Sequence, residues 1–186
     1  MNHIDHVNLL QGGIPKPGGA WADFGSGRGA FTLALAELIG REGTIYSVDK
    51  NRRDLRAQEW NMRERFGERS PSVHYLAGDF TRPVDLPQLD GIVMANSLHF
   101  VRSKKPVLAG LLRYLKPGGR FILIEYNVDR GNIWVPYPLS YSTWEALAGK
   151  VGLKDTQLLR TRPSRFLKEI YSALNFYGGE GKQTFS

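Results

Sequence analysis

Residues 21–40 read WADFGSGRGAFTLALAELIG: a short apolar strand, a glycine-rich turn and an apolar helix. Trp21, Ala22 and Phe24 supply the strand side chains. Gly25, Gly27 and Gly29 make the turn, and Ala30 to Ile39 has too few polar residues to be anything but a largely buried helix. Such a strand–turn–helix builds a ligand pocket in α/β proteins. The turn is tight, the backbone can approach the ligand closely, and the helix start offers unpaired N–H groups. Asp23, at the strand end, is the unusual residue. Its carboxylate beside the glycines would repel a phosphate and suits a ligand carrying positive charge, which steers the reading away from dinucleotides.

Upstream, residues 1–12 predict a short helix with Ile4, Val7 and Leu10 on one side, broken by the PKPGG run at Pro15 to Gly19. Residues 1–19 read as an N-terminal cap segment on a single domain, 20–177, with 178–186 a flexible tail. His3, Asp5 and His6 are close together, but two histidines three apart without a third ligand do not make a metal site, and no metal is expected.

Downstream, TIYSVDK forms a second strand that ends at Asp49. Asn51 to Phe66 reads as a helix, with Leu55, Met62 and Phe66 at helical spacing and Arg52, Arg53, Arg56 and Arg63 on the other face. VHYLA from Val73 is a third strand, followed by Gly78, Asp79 and Phe80. The two prolines between Thr81 and Pro87 mark a loop. LDGIVMA from Leu89 is a near-continuous apolar strand suited to a central parallel position, and it ends at Asn96 and Ser97. Ser103 is placed to cap a helix running to Leu115, which LKPGG stops. RFILIEY is a fifth strand ending at Glu125. A loop rich in aromatics and prolines follows to Tyr141. Ser142 and Glu145 have the spacing of a capping box, so a helix is expected from there to about Val151. TQLLRT and FLKEIYSALNFY read as two strands around an RPS turn.

Strands alternating with helices, then a late hairpin, describe an open, mostly parallel sheet with helices on both faces. Ligands of such sheets bind beyond the carboxyl ends of the strands. Asp23, Asp49, Asp79 and Asn96 all fall at such ends, and their coincidence along one rim says more than any one of them. Asp49 is placed to accept from both hydroxyls of a ribose. Asp79 is placed to accept from an adenine amino group, with Phe80 on the ring.

Composition fits one soluble domain. The 186 residues are 41% hydrophobic and 23% charged, with no cysteine, so neither disulfides nor thiolate metal sites are available. No signal peptide is visible in MNHIDHVNLLQGG and no apolar stretch approaches a membrane span, so a cytoplasmic protein without a membrane partner is expected. The net charge of +7 is compatible with an anionic partner or with a solvated basic surface.

WADFGSGRGAF, IYSVDK, AGDF, LDGIVMANSLHF and LKPGGRFILIEYN together resemble the ordered motifs of the class I S-adenosylmethionine-dependent methyltransferases, closely from Ala20 to Tyr126. The resemblance implies a Rossmann-like three-layer sandwich whose seven-stranded sheet has an antiparallel last strand. It implies S-adenosyl-L-methionine as cofactor and S-adenosylhomocysteine as product. It places Gly25, Ser26, Gly27 and Gly29 along the methionine and ribose, and Asp23 toward the amino group, through water or backbone. Asp49 falls at the ribose with Lys50 flanking the adenine. Gly78, Asp79 and Phe80 fall at the adenine, and Asn96 and Ser97 near the methionine end.

Methyl transfer from a sulfonium asks mainly for orientation, and a general base is needed only where the acceptor is protonated. His99 and Glu125 are the candidates for that role; each is equally readable as a packed or rim residue. Trp134, Tyr137, Tyr141 and Trp144 read either as an acceptor wall or lid, or as core beneath a long loop. The expected reaction is in-line transfer to a small-molecule acceptor. The alternative is an RNA or other nucleic-acid methyltransferase, favoured by the Arg52 to Arg65 cluster. Against it stand the absence of an added recognition module in this stretch and an ANSLHF segment lacking the proline–aromatic signature of base amino methylation. A dinucleotide oxidoreductase would need G-x-G-x-x-G, where this chain has G-x-G-x-G after an acid. A relative that binds the cofactor without transferring methyl is the third possibility weighed.

Overall fold

A computed structural model describes residues 1–179. Seven strands form one sheet in the order β3-β2-β1-β4-β5-β7-β6. They are β1 Gly19–Phe24, β2 Gly43–Asp49, β3 Ser72–Ala77, β4 Leu89–Ala95, β5 Leu115–Tyr126, β6 Leu153–Ser164 and β7 Lys168–Tyr177. β7 runs antiparallel to both its neighbours, and every other pairing is parallel. The helices are α1 His3–Gln11, α2 Ala30–Ile39, α3 Arg52–Phe66, α4 Lys104–Leu112 and α5 Tyr141–Lys150. The chain is therefore the expected Rossmann-like three-layer sandwich.

Strand alternation divides the core in two. Ala22, Phe24, Ile92, Met94, Phe121 and Leu123 face α4 and α5. Trp21, Ile45, Val93, Ile122 and Ile124 face α1, α2 and α3. Central strands covered on both faces must be apolar throughout, which is why LDGIVMA carries so little alternation. Gly91 belongs there because a Cβ would run into the Trp21 ring on the neighbouring strand. Trp144 of α5 is fully buried, stacks on Phe121 at 5.6 Å and donates its indole N–H to Asn175 Oδ1 at 2.9 Å.

Several local expectations shift. In α1 it is Leu9 and Leu10 that are buried, whereas Ile4 is exposed. This helix packs beside α2, with His6 edge-on to Phe31, so residues 1–19 contribute to the same core as the rest. Ser140, not Ser142, caps α5: its Oγ accepts from the Thr143 amide, and Asp129 holds Ser140 in turn through both N and Oγ. Ser103 sits at the start of α4 but makes no capping bond, and α4 ends at Leu112. LKPGG opens β5 across an irregular register instead of merely stopping a helix: Leu89 pairs with Leu115 and Gly91 with Arg120. RPS lies inside β6, and the turn falls at residues 165–167. An edge strand tolerates Pro163 because the missing N–H need not point at a partner. Of the expected tail, residues beyond Gly179 lie outside the described part.

Candidate functional site

The carboxyl ends of β1, β2, β3 and β4 converge on a cleft of about 440 Å³, lined by residues of all four. That is within the usual size range of small-ligand sites. Its walls include Gly25, Gly27, Asp49, Lys50, Gly78, Asp79, Phe80, Asn96 and Ser97, so the sequence-predicted set largely meets in one place. Thr81, Phe100 and Val101 complete the lining and were not anticipated. A groove of about 550 Å³ at the opposite, amino ends of β1 and β4 also carries glycines and acids, but its Asp90 is taken up by Lys116 and the Ala20 amide.

The glycine turn is built by backbone geometry. Gly25, Gly27 and Gly29 all have positive φ, at 73°, 54° and 84°. The amides of Gly25 and Ser26 both donate to the Val48 carbonyl, at 2.8 and 3.2 Å, which ties the turn to β2. A Cβ on Gly25 would lie 2.5 Å from Ser97 Cβ, and one on Gly29 would lie 2.5 Å from Gln58 Cγ. The glycines are thus required by conformation and by crowding together.

Side chains behind the turn hold it from α3 and β2. Gln58 Nε2 donates to the Gly27 carbonyl and to Ser26 Oγ, Ser47 Oγ donates to Gln58 Oε1, and the Ser26 hydroxyl donates to Ser47 Oγ in turn. Ser26 therefore faces this network. The signal for Gln58 was available: it shares the buried face of α3 with Leu55 and Met62, where a polar residue needs a partner.

Asp49 is both wall and anchor. Its Oδ2 accepts from the Gly27 amide and its Oδ1 from the Asn51 amide, each at 2.8 Å. Each oxygen keeps a further lone pair for a ligand hydroxyl. Asp79 uses Oδ1 for the Thr81 hydroxyl at 2.7 Å and its amide at 2.9 Å, and these bonds hold its carboxyl below the usual range. Its Oδ2 has no protein donor among the described residues. Ser97 Oγ donates to the Phe24 carbonyl at 2.8 Å, closing the ends of β1 and β4 against each other. Asn96 adopts a left-handed φ of 51°, rare outside glycine, and its Oδ1 is buried without a partner among the described residues. A buried acceptor left unpaired in a cleft wall is costly unless a ligand donor meets it.

Asp23 is placed differently from the expectation that it lies beside the glycines facing a ligand. It is buried under the turn, 1% exposed, and its Oδ2 accepts from Thr32 Oγ1 at 2.7 Å. Burial pushes the carboxyl up to about 7, against the opposing effect of the Thr32 bond and with a further rise from Asp49. Any influence on a ligand passes through the first turn of α2.

His99 and Glu125 pair with each other one layer behind the cleft. Both Glu125 oxygens lie 2.9 Å from His99 Nδ1, and they also accept from the amides of His99 and Tyr126 at 3.2 Å. Neither side chain is on the cleft wall. Phe100, which packs on the His99 ring at 4.3 Å, lines the wall instead. The four loop aromatics separate: Trp144 is core, Tyr141 half-buried against Tyr171, and Trp134 and Tyr137 exposed. His3, Asp5 and His6 do not converge. His3 pairs with Glu37 at 2.7 Å, Asp5 with Arg162 and with the helix start, and His6 packs on Phe31.

Comparison with known proteins agrees with this geometry. A family model described as the methyltransferase domain matches residues 22–123. The ubiquinone/menaquinone biosynthesis C-methyltransferase UbiE of Azotobacter vinelandii is 29% identical over 145 residues, covering 74% of this chain and 54% of that protein. The chain thus spans about half the length of the curated relatives it matches. Among solved structures, an S-adenosylmethionine-dependent methyltransferase from Aquifex aeolicus superposes with a TM-score of 0.70 at 21% identity, covering 92% of this chain and 89% of the other. The N-methyltransferase NodS of Bradyrhizobium japonicum, solved with S-adenosylhomocysteine, gives 0.74 at 15% identity, covering 94% and 86%. These two likenesses concern the fold. The family match is the stronger finding, because it takes in every residue of the cleft wall from Gly25 to Val101, and it makes this chain a member of the class I S-adenosylmethionine-dependent methyltransferases.

Proposed function

We propose that this protein moves a methyl group to a small-molecule acceptor, and that the cleft at the ends of β1 to β4 holds the cofactor. The observation that carries this reading is the set of unfilled acceptors around one cleft. Asp49 and Asp79 keep lone pairs, and Asn96 Oδ1 is buried with no donor among the described residues. A nucleoside bearing an amino-acid tail offers donors of the matching kinds: ribose hydroxyls, an adenine amino group and an ammonium.

In this reading Asp49 takes the ribose, Asp79 Oδ2 the adenine amino group and Asn96 Oδ1 the ammonium. Phe80 packs on the base, Lys50 flanks it beside Gly78, and Gly25, Gly27 and Ser97 shape the floor toward the methionine end. Gly29 and Ser26 act from behind, by holding the turn. When bound, S-adenosylmethionine supplies a sulfonium methyl that the acceptor's lone pair takes as the carbon–sulfur bond breaks. The chain's task is then to align the acceptor and exclude competing water.

His99 and Glu125 fit the handling of an acceptor proton. Both Glu125 oxygens face His99 Nδ1, the geometry of an Nδ1–H donor, which leaves Nε2 as the ring nitrogen free to meet an acceptor. Phe100 lines the cleft and packs on the His99 ring, so this reading puts the acceptor on the Phe100 side of the cleft, with His99 behind that ring. The UbiE relatives, named as C-methyltransferases of ubiquinone and menaquinone biosynthesis, favour a small organic acceptor.

The nucleic-acid alternative rests on the exposed Arg52, Arg53 and Arg56 of α3. One assay separates the two: transfer of labelled methyl from S-adenosylmethionine into a metabolite extract and into total RNA, run in parallel. Label in the small-molecule fraction is expected. Label confined to RNA would overturn the reading.

A further inference from the structure

Large apolar side chains gather at one place on the surface, on the same rim as the cleft. Phe100, Ile133, Trp134, Tyr137 and Phe166 are exposed by 62, 87, 71, 41 and 49%. They make up a collar drawn from three connections on one rim of the sheet, after β4, after β5 and between β6 and β7, and a chain of rings beneath the surface runs between two of these connections. The Phe166 ring packs on Tyr126 at 5.8 Å, Tyr126 lies 6.1 Å from His99, and His99 packs on Phe100 at 4.3 Å. The Tyr137 amide donates to the His99 carbonyl at 3.0 Å, which seats the fourth member against the same residue. Single exposed apolar residues need no explanation, but five large ones on the connections of one rim point to a contact surface.

The tip is held outward by construction. Asn132 Oδ1 accepts from the amides of Trp134 and Val135, and the Asn132 amide donates to the Val135 carbonyl. Val135 is buried, so the turn is anchored by that residue while Ile133 and Trp134 project from it. The loop is fixed elsewhere by Lys104 Nζ on the Tyr137 carbonyl at 2.7 Å, and by Asp129 on Ser140.

The chemistry around the collar is basic. Arg102, Arg130 and Arg165 are exposed in the same connections, and Lys105 and Lys168 are exposed at the starts of α4 and β7 that follow them. None takes part in an ion pair among the described residues. The acids of these segments are engaged, Asp129 by Ser140 and Glu169 by Asn127. Projecting Trp, Tyr and Ile flanked by unpaired Arg and Lys match the interface of an anionic bilayer, where aromatic rings sit at headgroup depth and cations meet the surface potential. No helix of the described residues is long and apolar enough to cross a membrane, but docking on a surface needs no spanning segment.

We propose that this collar docks the protein on anionic lipid surfaces, with the mouth of the cleft facing the bilayer. Phe100 belongs to both collar and cleft wall, so a docked molecule presents its cleft to whatever the lipid holds. The acceptor is then an amphiphile dissolved in the bilayer. That consequence rests on the methyl-transfer reading above, whereas the docking itself does not.

The test is co-sedimentation of the full chain with vesicles of phosphatidylcholine and phosphatidylglycerol, against phosphatidylcholine alone, at low and high salt. S-adenosylhomocysteine titration is run on the same preparations. Binding is expected to the mixed vesicles only and to weaken with salt, with a blue shift of tryptophan emission that Trp134→Ser abolishes. The double variant Ile133→Ser, Trp134→Ser should lose vesicle affinity by about tenfold or more while keeping its melting temperature and its S-adenosylhomocysteine affinity. No binding to mixed vesicles, or equal binding by the double variant, overturns the proposal. So does a collar that instead mediates a dimer in sedimentation velocity, or one that retains RNA in place of lipid. A protein that binds the nucleoside but not vesicles refutes the docking alone; one that binds vesicles but not the nucleoside refutes the cofactor assignment alone.

Discussion

Replacing Asp23 by Asn should change how stability depends on pH, in a direction and amount fixed by where the carboxyl lies. Burial raises its folded value from 3.8 to about 7. A carboxyl raised in this way binds its proton more tightly folded than unfolded. Its contribution is therefore fully present below about pH 4 and is lost as pH rises through 7. The size of the loss is on the order of 4 kcal/mol between those limits, from three pH units at about 1.4 kcal/mol each. His6 works in the opposite sense, since burial lowers it to about 4. It is unchanged in the variant, so it cancels in the difference. Asn retains an oxygen to accept from Thr32, so the local geometry has a route to persist. The assay is urea unfolding of both proteins at intervals from about pH 4 to 8. The wild-type curve should fall relative to Asp23→Asn across that window and run parallel to it above. Parallel curves throughout would show that Asp23 ionises normally and is not sealed under the glycine turn.

Other substitutions probe separate parts of the account. Asp49→Ala removes the acceptor of the Gly27 and Asn51 amides as well as the proposed ribose partner. Its S-adenosylhomocysteine affinity by calorimetry should fall by about 1–3 kcal/mol, roughly 5- to 150-fold. Gly29→Ala drives a Cβ into Gln58 at φ 84°, so both melting temperature and nucleoside affinity should drop. His99→Asn should lower kcat by roughly 100-fold or more for an acceptor that must lose a proton, with nucleoside affinity intact. Trp144→Ala empties a fully buried site and breaks the bond to Asn175, and denaturant melts should show a loss of about 3–5 kcal/mol.

The sheet was legible because its signals are long and local. Apolar strands alternate with helical spacing, and each strand end carries an acid or amide at a point the topology brings to one rim. Gly25, Asp49, Asp79 and Asn96 could be placed together for that reason alone. What the sequence concealed depends on packing across distance. Asp23 stands at the right strand end, but pleating turns it to the α2 side, where Thr32 takes it. Gln58 is marked as buried by its place beside Leu55 and Met62, but that it holds the glycine turn is set by packing across some 31 positions. Glu125 and His99 are 26 positions apart, and only the β4–β5 pairing makes them neighbours. Ser140 displaced Ser142 as a cap because Asp129, a loop residue without periodicity, fixes it. The aromatic loop was ambiguous for a similar reason, since nothing in its composition says that Trp144 points in and Trp134 out.

The central claim is that the acids at the strand ends enclose a nucleoside with a cationic amino-acid tail. Calorimetric titration of the unmodified protein with S-adenosylhomocysteine, and separately with NAD, tests it most directly. The account predicts one saturable site for S-adenosylhomocysteine, weakened by Asp49→Ala, and no binding of NAD. Binding of NAD alone, or an affinity for S-adenosylhomocysteine that Asp49→Ala leaves unchanged, would contradict it.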